Sequence, residues 1–276
     1  MRRVRVMLWL LAITPHAAVP AADDTTVSRG AYLTAAAGCV SCHTDDENDG
    51  EPFAGGHALE TPFGVFYTPN ITPDDDTGIG GWSDAMFIAA VKNGMAPDGS
   101  HYYPAFPYPS YAGMTDADAL AIKGYLDSLA PVESAVPPDE LRWFVPGRWA
   151  MGIWKSLFAP WQYPDAPAEH ARGAYLVRHL GHCGECHTPR KLTGQLQLSR
   201  DLGGSPADST GRSAPPIDAA SLKKNGWSQG DLEFFFEIGM LPDGDFAGGS
   251  MTAVIDDNTG KLTTADRSAI ARYLLR

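Results

Sequence analysis

The stretch "GCVSCHT", Gly38 to Thr44, and its counterpart "GHCGECHT", Gly181 to Thr188, decide how the chain is read. Each holds two cysteines three positions apart with a histidine directly behind: Cys39, Cys42 and His43, then Cys183, Cys186 and His187. They account for all 4 cysteines of the 276-residue chain. Cys-x-x-Cys-His is the attachment spacing of c-type haem. Two thiols so placed can form thioethers to the vinyl groups on one porphyrin edge, and the next residue then points its imidazole at the iron. A thioredoxin-type redox pair needs no such histidine. A four-cysteine zinc site normally has its halves about 15–20 residues apart, whereas Cys42 and Cys183 are 141 apart. Four buried or disulfide-paired cysteines would not explain matching flanks. The motif therefore implies two covalently bound haem c groups, with His43 and His187 as proximal ligands.

The flanks repeat as well. "RGAYL" occurs at 29–33 and 172–176, "GWS" at 81–83 and 226–228, and Gly94-Met95 is matched by Gly239-Met240. "TDADALAIKGYL" from Thr115 is matched by "TTADRSAIARYL" from Thr263. The offset grows only from 143 to 148 along the chain, so one module has been duplicated with small insertions. Each copy reads as three or four helices around one haem. Ser28 is a candidate cap for the first helix, Ser83 and Ser228 precede runs that stop at Gly94 and Gly239, and Thr115 with Asp118 and Thr263 with Asp266 resemble capping boxes. The expected fold is all-α, a loop-rich tandem pair of cytochrome c-like domains at 22–130 and 169–276.

Residues 131–168 belong to neither copy. They hold 4 of the 7 tryptophans, Trp143, Trp149, Trp154 and Trp161. Large aromatics are buried on average, so this segment is expected to be a linker whose rings pack on the modules. The other reading is a docking or membrane-surface segment.

At the start, Arg2, Arg3 and Arg5 precede an apolar run from Val6 to Ile13 and small residues to Ala22. That is the layout of a secretory leader over residues 1–21, and the run is shorter than the about 20 residues a membrane span needs. A periplasmic location is expected, with association at the outer face of the inner membrane as a further option. Loss of the three arginines would take the formal charge from −12 to −15. So acidic a chain is a poor nucleic-acid binder.

The copies differ at the sixth ligand. A thioether opposite the histidine raises a haem's potential. Met251 lies seven residues after Gly244 in the second copy, but seven after Gly99 stands Phe106, which cannot ligate. Met114 just before the last helix, His101 or Met95, or an open site are the alternatives, and Met114 is the one expected.

"PFAGGHALETPFGVFYTPNITPDDDTGIGGWS", "PDGSHYYPAFPYPSYAGMTDADALAIKGYL" and "GHCGECHTPR" resemble the cytochrome c subunits of bacterial periplasmic alcohol and aldehyde dehydrogenase complexes. Members of that family commonly carry three class I cytochrome c domains and pass electrons from a catalytic subunit towards ubiquinone or terminal oxidases. The resemblance implies a dehydrogenase catalytic subunit and a respiratory electron acceptor as partners. It places Asn70, Thr72, Trp82 and Trp227 near haem propionates. Many members read "PAMPY" where this chain reads "PAFPY", and only two haem motifs are present here, so the membrane and quinone roles of a third domain are not expected. The rival class is a dihaem enzyme, such as a peroxidase or thiosulfate dehydrogenase, with an open first haem.

Overall fold

The computed structural model describes residues 24–276 apart from Gln162; the expected leader lies outside the described residues. The first copy runs α1 (Asp24–Ala36), α2 (Cys39–His43), strands β1 (Ala58–Thr61) and β2 (Gly64–Tyr67), then α3 (Asp84–Asn93), α4 (Tyr108–Tyr111) and α5 (Asp116–Leu126). Strand β3 (Glu140–Leu141) and helix α6 (Ala150–Phe158) lie between the copies. The second copy runs α7 (Ala171–Tyr175), α8 (Gly184–His187), α9 (Ala219–Lys224), α10 (Gln229–Ile238), α11 (Ser250–Asp257) and α12 (Thr264–Leu274).

Helices dominate, as expected, and three short strands accompany them. A small antiparallel sheet orders β1-β2-β3, with Ala58 opposite Tyr67 and Val65 opposite Glu140. Val65, Phe66 and Tyr67 favour an extended chain. Gly64 lets the third strand approach: a Cβ there would sit 2.2 Å from the Glu140 carbonyl oxygen. The segment between the copies is thus tied to the first copy by backbone pairing as well as by its rings.

Local capping follows the sequence closely in the middle helices. Ser83 and Ser228 accept from the N–H groups of Met86 and Asp231, and α3 and α10 end on left-handed Gly94 and Gly239, at φ 58° and 79°. Ser28 is not a cap: α1 already runs from Asp24, and the Ser28 hydroxyl bonds back to the Thr25 carbonyl at 3.1 Å.

The shared "RGAYL" explains how each copy closes. Gly30 and Gly173 sit where α1 crosses α5 and α7 crosses α12, and a Cβ at either would lie 2.1 Å from the carbonyl oxygen of Ala121 or Ala269. The preceding arginine pairs within its own copy: Arg29 with Asp118, and Arg172 with Asp266 at 2.5 Å. The tyrosine instead reaches the other copy. Tyr32 donates to Asp266 at 2.6 Å, and Tyr175 donates to Asp118 at 2.6 Å.

This exchange also changes the last helices' caps. Thr115 and Thr263 accept from the N–H groups of Asp118 and Asp266, as a capping box requires. The carboxylates do not complete the box, because the Arg–Tyr pairs hold them. The Thr115 and Thr263 N–H groups donate at 3.2 Å to the hydroxyls of Tyr175 and Tyr32. Around this contact Leu33, Met114, Ile122, Val177, Leu180, Ile270 and Leu274 share one buried cluster.

The copies differ by one residue between "RGAYL" and the first cysteine. The second copy absorbs it as a π-helical turn, Leu176–Leu180, closed by the Gly181 N–H on the Leu176 carbonyl at 2.7 Å. One inserted residue in an α-helix is the usual origin of such a turn. His182 then takes a positive φ of 36° where Gly38 has 65°.

Candidate functional site

Each Cys-x-x-Cys-His segment forms one helical turn, which puts both sulfurs and the imidazole within five residues of a single element. No disulfide joins the four cysteines. Burial, with the neighbouring thiol, pushes Cys39 up to about 12, and Cys183 is pushed up to about 12 in the same way. Solvent reaches Cys42 and Cys186, yet surrounding protein still raises both thiols.

The imidazoles are held identically. His43 Nδ1 lies 2.8 Å from the Pro69 carbonyl, and His187 Nδ1 lies 2.8 Å from the Pro215 carbonyl. A carbonyl can only accept, so Nδ1 carries the proton and Nε2 keeps its lone pair for a metal. Burial lowers the pKa of both histidines, which keeps them neutral and able to ligate. The threonine after each histidine secures the returning loop. Thr44 accepts from the Phe53 N–H and Thr188 from the Leu202 N–H, and both donors sit at positive φ.

Asn70 and Thr72 are buried in the loop that carries Pro69. The Asn70 amide donates to Thr77 Oγ1 at 3.0 Å and to the Val132 carbonyl at 2.7 Å, and its oxygen accepts from Thr72. Their bonds therefore fix the loop beneath His43. Trp82 and Trp227 pack, half-buried, on the main cluster. Among the described residues their indole N–H groups bond to nothing, which leaves those donors available to a bound group.

Met251 stands half-buried in the first turn of α11. Met114 is 2% exposed, within the main cluster. The Phe106 ring, at the position matching Met251, lies 5.9 Å from Tyr102 and 5.8 Å from Tyr111. His101 is turned away to the inter-copy segment: its ring crowds Gly152 of α6, and its backbone pairs with Met95 as Phe246 pairs with Met240.

The two motif turns lie side by side. Tyr111, the last residue of α4, donates to the Ala37 carbonyl at 2.8 Å and packs edge-on against His182 at 5.4 Å. Ser110 donates to Glu185, inside the second motif, at 2.5 Å, and Trp161 donates to the same carboxylate at 2.9 Å. Burial alone would push Glu185 up; Arg190, Ser110, Trp161 and His182 outweigh it and hold the carboxyl below its ordinary range. Neither Glu185 nor the proline carbonyls stand out in the sequence. The one available clue is a proline 26 or 28 residues after each histidine.

The donor set thus fits haem c twice over: two unpaired thiols, and one imidazole with its free nitrogen fixed by a carbonyl behind it. Comparison with known proteins agrees. The family model for cytochrome c matches residues 27–130. The diheme cytochrome c-type protein of Cereibacter sphaeroides is 44% identical over 255 residues, covering 90% of this chain and 85% of the relative. The gluconate 2-dehydrogenase cytochrome c subunit of Pantoea cypripedii is 42% identical, covering 92% of this chain and 60% of the relative. The cytochrome c subunit of alcohol dehydrogenase (quinone) from Gluconacetobacter polyoxogenes is 39% identical, covering 96% and 58%. The chain therefore spans about three-fifths of these dehydrogenase subunits, and most of the shorter diheme relative. It belongs to the cytochrome c family, in the group that holds diheme c-type cytochromes and the cytochrome c subunits of dehydrogenases.

Proposed function

We propose that the chain is a periplasmic dihaem cytochrome c that takes single electrons from a dehydrogenase catalytic subunit and passes them to the respiratory chain. Cys39 and Cys42 would anchor one haem in a domain at 22–130, and Cys183 and Cys186 the other in a domain at 169–276, with 131–168 between. Haem c, when bound, supplies iron that cycles between two oxidation states one electron apart. The observation that carries this reading is the twice-repeated geometry in which a proline carbonyl fixes the imidazole behind a pair of free thiols.

The residues then divide the work. His43 and His187 would hold the haem iron through Nε2, with Pro69 and Pro215 fixing the rings from behind. Met251 and Met114 would supply the thioether ligands in this reading. The indoles of Trp82 and Trp227 would donate to propionates, and Asn70 with Thr72 keeps the Pro69 loop in place. Glu185, Tyr111 and Ser110 hold the two motif turns against each other, which favours electron exchange between the halves. Encounters with the partners would be small and transient.

Intact-mass measurement of purified protein should show two added tetrapyrroles, each lost with Cys→Ser changes in its own motif; a bare chain overturns the proposal. Phe106 supports a second reading, an enzyme whose first haem is open. Rapid carbon monoxide binding to one haem of the reduced protein would establish that reading, and its absence at both would remove it.

A further inference from the structure

Only half of the inter-copy segment behaves as a linker. Met151 and Trp154 of α6 are buried, and Trp154 donates to the Thr193 carbonyl at 2.7 Å. Lys155 caps the end of α3 through the carbonyls of Asn93 and Gly94. These contacts fix which face of α6 looks outward. Along it stand Trp149, Ile153 and Leu157, four residues apart, and exposed by 74%, 59% and 67%. Trp143 is 94% exposed and stacks edge-on with half-exposed Phe144. Leu192, beside the Thr193 that Trp154 holds, is fully exposed. Single exposed apolar residues are ordinary; a helical stripe continued by two aromatics marks a binding surface.

Charge identifies what it binds. Residues 141–161 contain Arg142, Arg148 and Lys155 and no carboxylate, in a chain of net charge −12. Arg142 and Arg148 are exposed beside the aromatic residues. The stretch is basic against the acidic balance of the whole, although Asp139 and Glu140 directly precede it and Arg148 also donates to the His101 carbonyl at 2.9 Å. Tryptophan and arginine around an aliphatic helix face suit the boundary between lipid headgroups and acyl chains. α6 has nine residues, and no helix among the described residues is long and apolar enough to cross a membrane, so the segment would lie on the surface.

We infer that Trp143, Phe144, Trp149, Ile153 and Leu157 form a docking face for an anionic phospholipid surface, with Arg142 and Arg148 engaging the headgroups. None of these five residues belongs to a haem motif, so failure of this inference and failure of the proposed function are read by different measurements. The test uses the holoprotein with vesicles of phosphatidylcholine, alone or mixed with phosphatidylglycerol. Co-sedimentation and a blue shift of tryptophan emission are expected with the mixed vesicles, weakening as salt rises. Ile153→Ser/Leu157→Ser, and separately Trp143→Ser, should lower partitioning by about tenfold or more, the factor that 1.4 kcal/mol represents. The replaced side chains are exposed, so helical content and haem absorption should be unchanged. No binding to anionic vesicles at low salt overturns the inference, as does equal binding by the variants. It is also overturned if sedimentation shows that the same variants abolish a dimer of this chain, or if they abolish only its complex with a dehydrogenase subunit.

Discussion

Tyr32 and Tyr175 each place one hydroxyl between two groups of the opposite copy, donating to a carboxylate and accepting from the N–H that opens the last helix. Phenylalanine would keep the ring and lose both bonds. Tyr32→Phe and Tyr175→Phe are each expected to cost about 1–3 kcal/mol, since a charged acceptor and a helix N–H are left without their partner; urea unfolding measures this. Gly30→Ala should cost more, about 3 kcal/mol, because its Cβ meets backbone rather than a side chain that can move. Met114→Leu keeps the volume of a buried site, so the packing change alone should cost less than about 1.5 kcal/mol. In the oxidised holoprotein the same change should remove half of the sulfur-to-iron charge-transfer band, and Met251→Leu the other half. An unchanged band after Met114→Leu would rule that methionine out as a ligand.

Among the elements, α10 depends on the reciprocal bonds of Ser228 and Asp231. Ser228→Ala should lower stability by about 1 kcal/mol, read as a shift in the unfolding midpoint with unchanged haem absorption. The Ser228 cap was legible in the sequence because a cap serves an N–H within one turn; its reciprocal partner Asp231 was not. The motif turns were legible too, since Cys-x-x-Cys-His fixes three functional groups within five residues. What stayed hidden involves distant partners. Nothing local shows that Asp118 and Asp266 serve arginine and tyrosine rather than their own helix caps. Nor does it show that Glu140 and Leu141 pair with a hairpin some 75 residues earlier. Ser28 misled for the converse reason: it has the right chemistry for a cap, but helix α1 was already under way. The tryptophans between the copies were read by average behaviour, which holds for Trp154 and Trp161 and fails for Trp143 and Trp149.

For the whole molecule, Asp266 links acid stability to the contact between copies. Burial pushes its pKa up, but Arg172 and Tyr32 outweigh this and hold it below the ordinary value. A depressed folded pKa means that the unfolded chain binds the proton first. The stabilisation is therefore complete above the ordinary carboxylate pKa of about 3.9 and lost as pH falls through the folded value. Asp266→Asn should be less stable than the parent at pH 7, and the gap should close below that threshold. A gap of constant size down to the most acidic pH would show that charge is not the cause.

Because each half offers the same hydroxyl to the same carboxylate, the contact is self-complementary in the manner of a twofold homodimer. A half of one polypeptide could therefore satisfy the matching half of a neighbour as well as its own. Residues 131–168 join the two halves. Shortening that connection should favour domain-swapped dimers that keep these bonds, read by sedimentation of the parent and the shortened chain.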